Sequence, residues 1–437
     1  MLTTLKNAFK IKEIRKKLFF TFMMLVVIRF GSQLPVPGIN RGFFADWFSQ
    51  QTGDAFNFFD AFTGGSFLNM SVLALNITPY ITSSIIMQLM TIAIPKLEEM
   101  QRDGADGRKK IASITRYVTV ALALIESSAM AIGFGRQGLL QTYNVINVIT
   151  VIAALTAGSA FLMWIGERIT ESGVGNGISI VLTINILSRI PQDITQLFEQ
   201  FVIGKSIAKG AVAAIIIIAI IILMVVLVII LNDGVRKIPV QYAKKVQGRK
   251  MVGGQMTSLP LKVNTSGVIP VIFASSLMQL PVIVCSFFGI TGTGVWAEIL
   301  KGVNSNYWCN PKQLVYSIGL LVYIALVIFF AYFYTSITFN PLEIAENMKK
   351  QGGFIPGIRP GKPTSDYLNK VLTYIIFIGA VGLTIVCVVP YFFNGVFGAS
   401  VSFSGTSLII IVSVVLETIK QIESQMLVRN YKGFLND

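Results

Sequence analysis

Ten apolar stretches recur along these 437 residues, and the basic residues between them cluster on alternate loops. A water-soluble helix buries one stripe and solvates the rest, whereas a helix apolar all round belongs in hydrocarbon. A hydrocarbon core about 30 Å thick needs roughly 20 such residues per helix. Nine stretches meet that standard: Leu18–Leu34, Met70–Ile94, Tyr117–Phe134, Val145–Ile165, Ala211–Leu231, Val268–Phe288, Leu314–Phe333, Val371–Val389 and Thr406–Leu427. The tenth, Ile178–Ile190 between Gly177 and Pro191, is short and carries Ser179, Thr183, Asn185 and Ser188.

Charge parity decides for the tenth. Of 36 Lys and Arg, the odd-numbered loops hold only Arg41, Arg136, Arg189, Lys205, Lys209, Lys301 and Lys312, and Arg29 lies inside the first span. All the others fall on the two tails and the even-numbered loops, with Lys420, near the end of the Thr406–Leu427 span, counted with the C-terminal tail. Cytoplasmic loops carry the Lys/Arg excess, so both termini are expected in the cytoplasm. Omitting the tenth span would put the basic runs at 236–262 and 349–370 outside. The fold class expected is an all-α polytopic membrane protein with ten transmembrane helices.

Lys6, Lys10, Lys12, Arg15, Lys16 and Lys17 precede the first span as in a signal peptide. Pro35-Val36-Pro37-Gly38 follows it instead of a small-residue cleavage site, so a retained span is expected. The chain has no histidine, which excludes imidazole metal sites and Ser-His or Cys-His catalysis. Cys285 and Cys387 lie in spans and Cys309 stands alone outside, so no disulfide framework is expected. Two short motifs mislead. Gly204-Lys205-Ser206 resembles the end of a phosphate loop, but Glu199 stands where its first glycine must be. Asn76-Ile77-Thr78 has the glycosylation pattern inside a span. No catalytic residue, metal or cofactor is expected, and the chain is not read as an enzyme.

The two halves echo each other. Ile77-Thr78-Pro79-Tyr80-Ile81 in span 2 matches Val268-Ile269-Pro270-Val271-Ile272 in span 7. Gly177-Ile178-Ser179 opens span 5 as Gly405-Thr406-Ser407 opens span 10. Five spans, an odd number, separate each pair, so the repeat is inverted, as in many transporters and channels. The halves are placed at 1–205 and 206–437. Before span 2, the Phe-rich segment ending Asp60-Ala61-Phe62-Thr63-Gly64-Gly65-Ser66-Phe67 is too short to cross. It reads as an interfacial helix or, given its Gly-Gly hinge, as a removable stopper.

Two cytoplasmic loops, 232–267 and 335–370, are far longer than ordinary helix connections. The first carries Arg236, Lys237, Lys244, Lys245, Arg249, Lys250 and Lys262. In the second, prolines and glycines around Arg359 make a stiff tip, with no carboxylate between Met348 and Asp366. Such a tip suits RNA phosphates or an acidic protein surface.

Asn340-Pro341 with Ile355-Pro356-Gly357-Ile358-Arg359-Pro360-Gly361 resembles the fifth cytoplasmic loop of the SecY/Sec61-alpha family of protein-conducting channels. Leu34-Pro35-Val36-Pro37-Gly38-Ile39, Thr78-Pro79-Tyr80-Ile81, Gly175-Asn176-Gly177-Ile178-Ser179, Val240-Gln241-Tyr242-Ala243 and Leu261-Lys262-Val263-Asn264 are similar to further signatures, in the family's order. The resemblance runs from span 1 to span 10. It implies a two-halved clamshell bundle in the bacterial plasma membrane that passes unfolded polypeptides across and releases transmembrane segments into the bilayer. It further implies SecE and SecG as subunits, signal peptides and unfolded secretory polypeptides as clients, and the SecA motor or a ribosome, through its RNA phosphates, docked on the cytoplasmic loops.

Carried over by motif, the resemblance implies a pore ring of Ile77, Ile81, Ile178, Leu182, Ile272 and Ile410; Leu182 stands where relatives usually have isoleucine. It implies a plug at 60–67 and a lateral gate of spans 2 and 3 against 7 and 8, with Gln88, Glu126 and Ser276 as polar gate residues. Docking falls to Arg236, Lys244, Lys245, Arg249, Lys250 and Arg359. A secondary transporter for a small solute is the competing reading from inverted repeats and broken helices. A membrane enzyme lacks any nucleophile–base pair.

Overall fold

The computed structural model describes residues 8–39, 42, 44, 63–136, 138–201, 207–242, 245–247, 250–252, 256–287, 295–304, 307–309, 311, 314–397 and 405–433. One helix occupies each expected span. In chain order the helices are α1 (Lys12–Gly31), α2 (Thr78–Ala93), the short α3 (Pro95–Arg102), α4 (Ala105–Arg136), α5 (Val145–Ser172), α6 (Gly177–Phe201) and α7 (Ile207–Asp233). They continue with α8 (Ile269–Phe287), the short α9 (Val295–Val303), α10 (Ile318–Thr338), the short α11 (Pro341–Lys350), α12 (Lys362–Phe397) and α13 (Gly405–Gly433). Among the described residues, five helices are long and apolar enough to cross a membrane, and a sixth if α2 and α3, bent by 107° at their junction, count together.

The boundaries differ from expectation for local reasons. Span 2 becomes helical only at Thr78, because Pro79 sits in the first turn and Asn76 before it takes a φ of 54°. Span 5 does not stop at Pro191; α6 runs through it to Phe201, with Arg189 and Asp193 paired at 3.7 Å one turn apart. α7 buries Met224 and Val228 but exposes Ile215, Ile218, Ile222, Leu223 and Ile230. In water such a surface would drive aggregation; in hydrocarbon it is the matched solvent.

The described chain forms two compact units, one of Met1–Gly210, Leu280–Lys301 and Ala399–Asp437, the other of Ala211–Gln279 and Gly302–Gly398. In the first, α4 packs on α5, α2 on α4, α6 on α5, and α13 runs along α6. Phe44, Phe67 and Phe134 form an edge-on aromatic core, with ring centroids 5.1 Å apart for Phe44–Phe134. The chain after α1 turns back, with Val36 N–H donating to the Met70 carbonyl at 3.0 Å and Val72 N–H to that of Leu34 at 2.9 Å.

The Gly175-Asn176-Gly177 signature opens α6 against α5. Asn176 Oδ1 accepts from Ile178 N at 3.1 Å and from Ser179 N at 3.4 Å, while Gly177 N donates to Thr170 Oγ1 at 2.9 Å. A Cβ on Gly177 would lie 1.9 Å from the Gly166 carbonyl oxygen. Gly177→Ala is therefore expected to force α5 and α6 apart and cost about 3 kcal/mol or more, the upper range for overpacking. Gly302→Ala, which meets nothing within 4 Å, is the neutral control. Thermal unfolding in mild detergent checks both; equal midpoints would mean that the α5–α6 contact yields cheaply.

In the second unit the two long loops, 232–267 and 335–370, fold together. β1 (Val235–Tyr242) pairs antiparallel with β4 (Met256–Lys262), and β5 (Gly353–Phe354), from the other loop, joins β1 at Gln241 and Tyr242. β2 (Lys245–Gln247) and β3 (Lys250–Val252) make a separate hairpin at the far end. Val263 N–H donates to the Gly234 carbonyl at 2.8 Å, which sets the parity of the β1–β4 ladder. By that parity Pro239 and Pro260 turn their missing N–H toward the open sides of their strands, which disfavours further strand addition there. Ile238, Val240 and Leu261 face Leu368, Leu372, Ile375 and Ile376 of α12, with Ile355 buried among them.

Candidate pore collar, plug seat and docking face

The two halves of the collar motif begin alike. The Ile77 carbonyl accepts from Tyr80 N and Ile81 N, each at 3.1 Å; the Val268 carbonyl accepts from Val271 N at 3.1 Å and Ile272 N at 3.2 Å. Each pair stands around a proline in the first turn, and each follows a positive φ three residues before that proline, at Asn76 and Gly267. The echo seen in sequence is thus also a local backbone echo.

Ile77 and Ile81 lie one turn apart, as do Ile178 and Leu182 on α6. All four fall in one apolar cluster with Ile28, Leu73, Leu162, Ile165, Ile169 and Val181. Their burial differs. Ile77 is 0% exposed and Leu182 7%, whereas Ile81 and Ile178 are half-buried. Ile410 is buried in the second turn of α13, the helix that packs along α6. Ile272 is half-buried on α8 in the second unit. The cluster sets aliphatic side chains, Met24 and the Tyr80 ring together, an apolar surface of the kind that disfavours hydrated ions.

Of the plug segment, Asp60, Ala61 and Phe62 lie outside the described residues. Thr63 Oγ1 accepts from Phe67 N at 3.2 Å, and Phe67 is buried against Phe44 and Phe134. Gly64 takes a φ of +65°, and a Cβ there would stand 2.5 Å from the Asn185 carbonyl oxygen on α6. Its own carbonyl accepts from Arg29 Nη1 at 3.5 Å and Ser188 Oγ at 3.4 Å. Asn185 Nδ2 donates to Asn76 Oδ1 at 2.8 Å in the buried interior. Sequence reasoning missed this polar seat. Asn185 and Ser188 were visible as polar residues in the shortest span, and Asn76 as part of a false glycosylation pattern.

Of the expected gate residues, Gln88 and Glu126 share the first unit, and no hydrogen bond joins them among the described residues. Gln88 is exposed on α2, Glu126 is half-buried on α4, and Ser276 is exposed on α8 in the second unit. The polar link between α2 and α4 is instead Ser83 Oγ with Thr119 Oγ1 at 2.5 Å, and Ser127 with Thr156 at 2.9 Å links α4 to α5.

On the docking side, Lys244 and Arg249 lie outside the described residues, while Lys245 and Lys250 are on β2 and β3. Arg236 is exposed near the start of β1, with Lys237 and Lys262 beside it. Arg359 is exposed at the tip between Gly357 and Gly361, at φ 83° and 104°. Thr364 Oγ1 donates to the Arg359 carbonyl at 2.8 Å, and Ile355 and Ile358 pack into the α12 core. The tip is anchored and its guanidinium is presented outward.

The SecY family profile matches residues 71–419. Protein translocase subunit SecY of Halalkalibacterium halodurans is 42% identical over 442 residues, covering 100% of both chains. That of Corynebacterium glutamicum is 41% identical over 454 residues, covering 98% of this chain and 99% of its own. Among solved structures, one of a protein-conducting channel matches at a TM-score of 0.60 and 18% identity, covering 94% of this chain and 93% of that one. A SecY structure concerned with the plug domain and the closed state matches at 0.62 and 18%, covering 94% and 92%. Sec61 from a canine ribosome–channel complex matches at 0.60 and 17%, covering 94% and 93%. Those structural matches speak for a shared fold; the sequence relatives speak for descent. By full-length identity and by the profile match over most of its residues, this chain belongs to the SecY family.

Proposed function

We propose that this chain is the protein-conducting subunit of a bacterial Sec translocase, passing unfolded polypeptides across the plasma membrane and releasing transmembrane segments into it. The observation that carries the reading is the single apolar cluster holding Ile77, Ile81, Ile178 and Leu182, built at the starts of α2 and α6. A charge in such a constriction costs on the order of 3 kcal/mol or much more, so ions are refused. Aliphatic side chains still yield to a passing chain, and Ile272 and Ile410 complete the proposed ring. The 60–67 segment is the plug, Gln88, Glu126 and Ser276 are gate residues, and 1–205 and 206–437 are the two repeat halves. SecE and SecG are the proposed subunits. SecA or the ribosome docks on the basic loops and supplies the driving force, with both termini in the cytoplasm. The solute-transporter reading finds no support among the relatives and structural neighbours. No enzymatic step is assigned.

Deleting residues 60–67 is the test. Resting conductance in planar bilayers should become intermittent and several-fold higher, with membrane insertion unchanged. An unchanged leak, or loss of insertion, would return the segment to a structural role.

A further inference from the structure

Arg29, in the last turn of α1, does not simply reach for the membrane surface, since its Nη1 donates to the Gly64 carbonyl at 3.5 Å. Ser188 Oγ points to the same carbonyl at 3.4 Å, but shares its one proton with the Asn185 carbonyl at 2.7 Å, so Arg29 is the stronger holder. Asn185 completes the seat twice: its backbone oxygen leaves room at Gly64 only for a hydrogen, and its side chain grips Asn76, the residue before Ile77. We propose that Arg29, Asn185 and Ser188 are positioning residues that seat the Gly64 carbonyl on α6 and so hold the plug segment closed. This rests on reading 60–67 as the plug. Bonds of 3.4–3.5 Å are long and weak. That suits a contact that breaks each time a polypeptide enters, while the short Asn76–Asn185 bond keeps the seat itself in place.

Arg29→Met removes the donor at similar length, Arg29→Lys keeps the charge, and Gly64→Ala pushes the segment off against the Asn185 carbonyl and Ser188 Oγ while leaving Arg29 itself unaltered. Resting openings in planar bilayers should rise about tenfold for Arg29→Met and Gly64→Ala, the factor that 1.4 kcal/mol represents. Arg29→Lys should rise less. In a chain lacking 60–67, Arg29→Met should add nothing, because its acceptor is gone. If the deletion leaks but Arg29→Met and Gly64→Ala do not, the seat is wrong and the plug stands; if the deletion itself does not leak, the plug reading fails. Equal extra leak from Arg29→Met in the deleted chain would show that Arg29 acts through α1 packing and overturn the proposal. Should Arg29→Met lower the thermal midpoint, Gly64→Ala and Ser188→Ala decide alone.

Discussion

Ile81→Asn and Ile410→Asn should each make the resting channel conduct ions, by at least about tenfold over the native chain. An asparagine amide offers two donors and an acceptor to water, and one ordered water chain is enough to remove the barrier that a dry collar sets against a charge. Ile81 is half-buried at the open side of the cluster, so its replacement alters the constriction without emptying the core. Ile77→Asn should behave differently. Ile77 is 0% exposed, packed with Ile28 and Leu162, and an unsatisfied amide there costs roughly 1–3 kcal/mol beyond the lost packing. Its expected signature is a lowered thermal midpoint in detergent, with leak as a secondary effect. Planar-bilayer conductance and thermal unfolding, run on all three variants, check this ordering. Native-like conductance for both Ile81→Asn and Ile410→Asn would remove them from the ring.

Arg359→Glu should reduce motor-driven precursor transport into vesicles by more than about tenfold. Truncating or reversing a charge in a hydrogen-bonded interface commonly costs 2–5 kcal/mol. Arg359→Lys should also impair transport, because a point charge cannot reproduce a planar bidentate fork. Neither variant should alter the amount of folded protein. The tip is held by Ile355, Ile358 and the Thr364 hydroxyl on a backbone carbonyl, none of which involves the guanidinium. Ile355→Asp, by contrast, should loosen the tip and the β5 pairing together, and serves as the structural comparison. Binding of motor and of ribosomes to the same vesicles separates docking from later steps. Near-normal transport by Arg359→Glu would leave loop 335–370 with topogenic charge only.

That helices would form on all ten runs, the short polar one included, was legible without coordinates. It rests on local properties, apolarity over a run and charge parity between runs, and the helices coincide with all ten runs. The echo around Pro79 and Pro270 was legible as a sequence pattern, and each of these prolines stands in the first turn of its helix. The ends of the helices were not. Pro191 was expected to stop a helix that in fact continues to Phe201, because tertiary packing on α5 and α13 outweighs one missing backbone donor.

Composition and order alone determined the membrane class and where the helices run, because hydrocarbon admits only helices or closed barrels whose backbone groups are satisfied within the protein. Contacts between distant residues were beyond that logic. Gly64 rests on α6 across more than a hundred residues, Gly353 and Phe354 join a strand from another loop, and Ser83 rather than Gln88 ties α2 to α4. Each such pairing depends on which side chains face one another once helices have packed, and no one-dimensional period records that facing.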